Sequence, residues 1–156
     1  KIGWAIGPDE MTRAIRAAHQ FLTFAVATPL QRAAAAALGA PPSYYDALRS
    51  SFRAKRDVLC DALEVIGFDV RRPEGGYFVM ADFRSLDMER LDLPTDRSVD
   101  DAMFCKALVE RVGVAAIPPS FFYEQKREGA TMARFAFCKQ DETIAEGVRR
   151  LNALKR

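Results

Sequence analysis

The feature that most limits the fold of this 156-residue chain is a change of hydrophobic period near Gly67. Before that point, one apolar stripe recurs at spacings of three, four and seven residues over about six helical turns. This stripe predicts a single long helix over 43–67, long enough to join two domains. Its members are Tyr45, Leu48, Phe52, Leu59, Leu63 and Ile66.

After the long helix, the pattern changes to short segments separated by turn residues. The predicted elements are strands Phe68–Arg71 and Tyr77–Asp82, a helix from Ser98 to Arg111, strands Val114–Ile117 and Met132–Cys138, and a helix that opens at Asp141. The first two strands are expected to pair as a hairpin across Gly75-Gly76. The order ββαββα predicts an α/β chain in which helices pack on a small, mostly antiparallel sheet.

The region before the long helix is predicted to hold one strand and two helices. The strand is Lys1–Ile6, and the absence of an initiator Met before it suggests a piece of a longer protein. Asp9 is expected to cap a helix that runs to about Gln20. Thr28 and Gln31 have the spacing of a capping box, with Pro29 at the first helical position of a second helix.

Composition and charge exclude several functional classes. The formal net charge is only +2, which argues against a nucleic-acid binder. The longest apolar run, Phe21–Leu30, is too short to span a bilayer and is interrupted by polar residues and proline. Three dispersed cysteines without a CxxC motif, and one histidine, disfavour a disulfide framework or a zinc site. We therefore expect no metal and no membrane contact, and a reducing cytoplasm.

Arg134 is the side chain to which the residue pattern gives the clearest chemical role. Strand alternation places it on one face with Met132, Ala136 and Cys138, and puts Phe135 on the other. A guanidinium among small apolar neighbours must find an anion or water, and its fork matches a carboxylate. Two hypotheses stay open: a carboxylate-binding arginine, or a structural arginine that reaches solvent or an internal acid.

Other features admit a functional and a structural interpretation. Gly75-Gly76 favours a simple hairpin turn over a backbone that approaches a ligand. The aromatic run 121–123 after two prolines fits either a ligand lid or a plug at a domain junction. A lone Lys1 is typical of a solvated charge, although it could meet a phosphate. His19 has no candidate catalytic partner, which favours a structural role.

Six segments, taken in order along the chain, form a recognisable set. They are Lys1-Ile2-Gly3-Trp4-Ala5-Ile6-Gly7-Pro8, His19-Gln20, Thr28-Pro29-Leu30-Gln31, Gly75-Gly76-Tyr77-Phe78, Gly113–Tyr123 and Arg134-Phe135-Ala136-Phe137-Cys138-Lys139. Together they resemble class I and II pyridoxal-phosphate aminotransferases, and the nearest branch resembles the methionine, kynurenine and glutamine transaminases. The resemblance is collinear over the whole chain and covers the carboxyl-terminal portion of such an enzyme.

The resemblance implies roles for three residues. Arg134 stands where the family's arginine binds the substrate α-carboxylate. Lys1 matches a basic residue that contacts the cofactor phosphate, and it is not the lysine that binds the cofactor covalently. Phe24 stands where related enzymes reach an aromatic ring into the neighbouring subunit's site. Ala25 departs from the kynurenine branch, which often carries a polar ring there, so substrate preference stays open.

The resemblance further implies a homodimeric enzyme that moves an amino group between an amino acid and a 2-oxo acid with pyridoxal 5′-phosphate. The lysine that binds the cofactor would lie upstream of this chain, so the chain alone should hold no catalytic residue and be inactive. The implied division is 1–42 from the large domain, 43–67 as the connecting helix and 68–156 as the small domain. Two alternatives stay open: a stand-alone module that binds a small carboxylate through Arg134, or a non-catalytic interaction domain.

Overall fold

The computed structural model describes residues 2–96 and 98–155, and this part contains five helices and three short strands. The elements are α1 Asp9–Leu22, α2 Thr28–Leu38, α3 Pro42–Ile66, β1 Asp69–Arg71, β2 Phe78–Asp82, α4 Asp101–Ala107, β3 Met132–Ala136 and α5 Asp141–Leu151. A π-helical turn, Leu108–Val112, continues α4, and a 3-10 turn covers Pro119–Phe122. The predicted α/β class with a small antiparallel sheet is confirmed.

The chain divides into two compact units within α3, the first ending at Ala47 and the second beginning at Leu48. The first unit contains α1, α2 and the start of α3. The predicted strand Lys1–Ile6 is wrong over its described part, because residues 2–8 form neither helix nor strand, and Lys1 lies outside the described residues. A strand needs a neighbour for its backbone N–H and C=O groups, and the described part of this unit contains none.

The helix starts of the first unit differ from the predicted caps. Asp9 lies in the first turn of α1, and Pro8 occupies the cap position. Thr28 is already helical, with Ala27 as the cap, and the Gln31 side chain donates to the Val26 carbonyl at 2.9 Å. The capping box is therefore wrong. Thr28 is the first helical residue, so it lies one position too late to be the cap. The fixed φ of Pro29 suits this position in the first turn.

The long helix α3 confirms the apolar stripe, and its burial is graded along the chain. Its buried residues all lie in the carboxyl-terminal part: Leu59, Cys60, Leu63 and Ile66. Toward the amino-terminal end, Tyr45 is half-buried and Leu48 is exposed. The helix ends at Ile66, and the following Gly67 has a φ of 118°, a left-handed value that glycine adopts without steric cost.

The sheet has strand order β1-β2-β3, and both pairings are antiparallel. The predicted hairpin between β1 and β2 is confirmed. The predicted strand Val114–Ile117 is wrong, since only Ile117 pairs, in a single bridge to Arg134. The neighbouring groups are used elsewhere: the Val114 N–H donates to the Leu108 carbonyl, and Pro118 has no N–H to offer.

The start of α4 also differs from the prediction. Asp100, and not Ser98, caps the helix, and its carboxylate accepts the Met103 N–H at 2.8 Å. Ser98 instead donates its backbone N–H to Asp96. Asp101 is therefore the first helical residue, and its buried side chain is not used as a cap.

The core of the second unit lies between the inner face of the sheet and helices α3, α4 and α5. Phe83 stacks on Phe104 with ring centroids 4.1 Å apart, and Phe68 meets Phe135 edge to face at 5.7 Å. Burying each such side chain contributes about 1.5–3 kcal/mol. This core fixes the inner face of β3, so the outer face is left for Arg134. No helix within residues 2–96 and 98–155 combines the length and hydropathy that a bilayer crossing requires.

Candidate functional site

Arg134 lies at the centre of β3, where its backbone is held on both sides. It is opposite Met80 on β2, and on the other side its N–H and C=O each bond to Ile117 at 3.0 Å. The neighbouring Ala133 and Phe135 are buried, while Arg134 is half-buried on the opposite face. The predicted alternation of β3 is therefore confirmed, and the guanidinium projects from a rigid strand.

Two aromatic rings enclose the Arg134 guanidinium. Its Cζ lies 4.2 Å from the centroid of the Phe78 ring and 4.6 Å from that of Phe122. Phe78 comes from β2 and Phe122 from the 3-10 turn after the two prolines. Both rings present their negative faces to the cation, which favours the charge and fixes the plane of the fork.

Arg134 differs from the arginines that lie in ion pairs, and its Nε is buried without a partner in the described part of the chain. Arg84 is paired with Asp82 and Arg111 with Asp92. Among the ion pairs of residues 2–96 and 98–155, none includes Arg134, and its buried Nε has no hydrogen-bond partner. An arginine held by an internal acid, which is the structural hypothesis, is therefore not observed among the described residues. A buried charged donor without such a partner suits an external carboxylate.

The glycine turn and the aromatic run have different outcomes. Gly76 has a φ of 73°, and a Cβ added at Gly75 or Gly76 would meet nothing within 4 Å. The turn therefore acts as a hairpin connection, as expected. Of the aromatic run, Phe122 lies against Arg134, which sequence reasoning did not identify. The available sequence signal was the position of Phe122 just after a rigid turn of two prolines. Its contact with Arg134 joins residues that are distant in sequence, and no spacing rule predicts it.

Phe24 lies in the first unit at the end of α1, where its ring is 87% exposed. Its φ of 64° is a left-handed value, which is uncommon for a bulky residue, and its N–H closes the helix by donating to the His19 carbonyl. Phe21 and Leu22 beside it are also strongly exposed. The ring is thus presented outward, and its role toward a neighbouring subunit stays a prediction.

A second polar cluster surrounds Asp82 at the end of β2. Burial by itself would raise the pKa of this carboxyl, but hydrogen bonds from the Arg84 side chain and backbone and from the Thr131 hydroxyl hold the pKa below its ordinary value. These residues line a cavity of about 460 Å³. The Asp82 carboxylate already accepts hydrogen bonds from these residues, so we assign it a structural role.

The described lysines do not fit covalent attachment of a cofactor. Lys55 donates to the Lys139 carbonyl at 2.7 Å and pairs with Asp141, and the other described lysines are exposed. Lys1, the predicted phosphate contact, lies outside the described residues. We therefore derive no chemical step through pyridoxal phosphate from this chain. Within its described part, no group of three or more acidic, cysteine or histidine side chains could hold a metal ion.

Comparison with known proteins identifies what the chain resembles. The model of the family "Aminotransferase class I and II" matches residues 1–151. The probable N-succinyldiaminopimelate aminotransferase DapC of Mycobacterium tuberculosis is 42% identical over 99% of this chain. The kynurenine–oxoglutarate transaminase of Dictyostelium discoideum is 35% identical over 100% of the chain, and the methionine aminotransferase of Escherichia coli 35% over 99%.

The solved structures agree with these relatives. The N-succinyldiaminopimelate aminotransferase structure from Mycobacterium tuberculosis superposes with a TM-score of 0.80 at 44% identity, covering 99% of this chain and 38% of that one. The share of each relative's own length is 38% for DapC, 38% for the kynurenine transaminase and 37% for the methionine aminotransferase. The chain thus spans less than two-fifths of the length of the relatives it matches.

Proposed function

This chain belongs to aminotransferase class I and II, and on that premise we propose that the intact protein transfers an amino group from an amino acid to a 2-oxo acid. The chain would supply the carboxylate-binding part of the active site. One observation carries the proposal: a guanidinium that lies against two aromatic rings, with a buried Nε that no described residue satisfies.

Arg134 suits both halves of such a reaction. The donor amino acid and the acceptor 2-oxo acid share a carboxylate next to the reacting carbon, so one arginine can hold either. Two parallel N–H···O bonds fix the direction of the carboxylate and thereby the position of the α-carbon. The ring centroids of Phe78 and Phe122 lie within 4.6 Å of the guanidinium carbon, and the rings lower its contact with water, which strengthens the pair. Arg134 would thus bind and orient substrate without moving a proton.

The other predicted roles belong to the same proposal. Family membership supports pyridoxal 5′-phosphate as the cofactor, which supplies an electron sink when bound. Lys1 would contact the cofactor phosphate, and the lysine that attaches the cofactor would lie upstream of this chain.

The exposed Phe24 ring supports a homodimer in which this ring reaches the active site of the neighbouring subunit. Residues 1–42 would belong to the large domain, 43–67 to the connecting helix and 68–156 to the small domain. The buried free thiols of Cys60 and Cys105 support a cytoplasmic location.

The test is to replace Arg134 by Gln and by Lys in the intact enzyme. Gln removes the charge, and Lys keeps the charge but lacks the fork. We expect kcat/KM to fall about 100-fold for Arg134→Gln, equivalent to about 2.7 kcal/mol, with KM raised for both the amino acid and the 2-oxo acid. Arg134→Lys should be impaired to an intermediate degree. The matched control is Arg111→Gln, whose guanidinium pairs with Asp92 on the surface. Unchanged kinetics in both Arg134 variants would exclude the carboxylate role.

Substrate choice needs a separate measurement. The relatives are named for N-succinyldiaminopimelate, kynurenine and methionine. A panel of these compounds with glutamine and aromatic amino acids, each at matched concentration, would rank them by kcat/KM. We propose a methionine, aromatic, or glutamine or kynurenine type of substrate. Exclusive use of N-succinyldiaminopimelate would show this substrate class to be wrong while leaving the transferase reaction in place.

A further inference from the structure

We propose that Asp101 and Phe122 form a positioning device for the carboxylate site, in which Asp101 holds the backbone that places the Phe122 ring over Arg134. This inference rests on the proposed role of Arg134 as the carboxylate-binding residue. Asp101 and Phe122 touch the site only through Arg134 or the backbone, so they act as positioning residues and not as catalytic ones.

Asp101 is the first residue of α4, and its side chain is almost completely buried, with only 1% exposed. Its carboxylate Oδ2 accepts the backbone N–H of Ser120 at 2.7 Å. Asp100 already caps the helix, so Asp101 is not needed for that purpose. A buried carboxylate is costly unless it is hydrogen-bonded, and here the bond goes to a loop 19 residues away in sequence. The pair therefore fixes the loop against the helix.

The same loop is held from a second side. A Cβ added at Gly129 would lie 2.6 Å from the Ser120 nitrogen and 2.8 Å from the Pro119 carbonyl carbon. The two backbones thus approach as closely as glycine allows. Just before the two prolines, Ile117 bonds to Arg134 itself. The turn Pro119–Phe122 is consequently anchored at its start by the sheet and in its middle by Asp101.

Phe122 needs such anchoring because the core does not hold it. Its side chain is 65% exposed, yet its ring centroid lies 4.6 Å from the Arg134 Cζ. It follows Ser120 by two residues, within the same 3-10 turn. The backbone therefore determines where the ring lies. The Phe78 ring centroid lies 4.2 Å from the same Cζ, so the two rings together limit the directions from which a carboxylate can reach the fork.

The first test replaces Phe122 by Leu in the full-length enzyme, with Phe122→Tyr as the conservative variant. Without the ring, the arginine side chain must be ordered by the substrate itself, which costs affinity. We expect KM to rise about three- to tenfold for both amino acid and 2-oxo acid, with kcat within about twofold. Phe122→Tyr should restore both KM values. Wild-type KM values in Phe122→Leu, or equal impairment in Leu and Tyr variants, would overturn the proposal.

A double-mutant cycle with Arg134→Lys shows whether Phe122 acts through Arg134. If it does, Phe122→Leu should raise KM by less than about twofold in the Arg134→Lys background, because the planar fork that it positions is already gone. Fully additive effects would overturn the proposal. If Arg134→Lys and Arg134→Gln leave kinetics unchanged while Phe122→Leu raises KM, the proposed function fails and so does this device. If the Arg134 variants are impaired but Phe122→Leu keeps wild-type KM values, the positioning role of Asp101 and Phe122 fails and the role of Arg134 is retained.

Asp101 is tested by replacement with Asn and with Ala. Asn keeps an acceptor oxygen but loses the charge-assisted bond, so KM should rise about two- to threefold. Ala removes the acceptor, so KM should rise as far as in Phe122→Leu, and combining Asp101→Ala with Phe122→Leu should add little. If Asp101→Ala does not fold, the Asn variant decides. Wild-type KM values for both substrates in the folded Asp101 variant would overturn the role of Asp101.

Discussion

Both units of the chain are rich in apolar residues but use them differently. In the second unit, twenty apolar residues between Leu59 and Leu154 form one buried cluster. In the first unit, neither α1 nor α2 contains a buried residue, although each has an apolar face. Side chains such as Trp4, Phe21, Leu22 and Phe24 are largely exposed. The second unit has a core within this chain, whereas the apolar faces of the first unit are solvent-exposed.

This difference shows that a helical pattern and a folding core are separate properties of a sequence. Periodicity and turn residues are enough to predict α1 and α2. Helices of 14 and 11 residues, however, are marginal in water without tertiary packing. Stability in the second unit comes from long-range burial between α3, the sheet and α5. We therefore expect amides of α1 and α2 to exchange with solvent faster than those of β2 and β3.

The sharpest way to break this comparison is to truncate one leucine in each unit. Leu63 is fully buried in α3, while Leu22 is strongly exposed at the end of α1. Leu63→Ala should lower the free energy of unfolding by about 3 kcal/mol, because it removes buried apolar contact and leaves a cavity. Leu22→Ala, the matched control, should change it by less than about 0.5 kcal/mol.

The thiols provide the measurement for this pair. Burial raises the pKa of Cys105 to about 12 and also raises that of Cys60, so both should resist a thiol reagent until the second unit unfolds. Exposed Cys138 should react at once and serves as the internal standard. Labelling of Cys60 and Cys105 across a urea series then gives the free energy of unfolding of the second unit. Equal loss of stability in both leucine variants would contradict the comparison.

A second prediction concerns glycines of the second unit. Gly129→Ala places a methyl group against the backbone of Ser120, which cannot move as a flexible side chain can. We expect a loss of about 2 kcal/mol, as in other overpacked sites. Gly75→Ala is the matched control, because its methyl group would meet nothing within 4 Å. The urea midpoint measured by circular dichroism should fall for Gly129→Ala and change little for Gly75→Ala. A neutral Gly129→Ala would mean that the loop yields, and that its backbone is less rigidly held than the close approach indicates.

The same division explains what the sequence could predict. The long stripe of α3, the hairpin and the alternation of β3 are local patterns, and all three are confirmed. Alternation alone predicts that Arg134 and Phe135 lie on opposite faces of β3, and the burial pattern confirms it. These features need no knowledge of distant residues, since period and turn chemistry act within a few positions.

The failures concern features that depend on partners elsewhere. Val114–Ile117 has a strand-like pattern, but only Ile117 finds a neighbour with free backbone groups. The stretch before α1 has no partner strand among its described neighbours. The enclosure of Arg134 by Phe78 and Phe122 joins three segments that no spacing rule connects. The sequence thus predicts which side chain is the candidate for the carboxylate site, but not which rings lie against it.

The smallest expected effect is the acid sensitivity of the second unit. The Asp82 carboxyl is buried, yet bonds from Arg84 and Thr131 keep its pKa below the ordinary value of 3.8. A carboxyl whose pKa is lowered by folding stabilises the folded state above its unfolded pKa, and this contribution is lost as the pH falls through the lower, folded value. We expect a contribution of about 1 kcal/mol or less, because Arg84 is itself largely exposed.

Urea unfolding at pH 7, 4 and 3 tests this contribution. The free energy of unfolding should decline less steeply with falling pH in Asp82→Asn than in the wild type. Glu146 is the contrasting case: hydrogen bonds from Arg149 and Arg150 lower its pKa to about 2, but its side chain is 42% exposed against 10% for Asp82. High salt should suppress its effect and leave that of Asp82 largely intact. If high salt reduced the stabilising contributions of Asp82 and Glu146 equally, Asp82 would behave as an ordinary surface charge and not as a buried carboxylate.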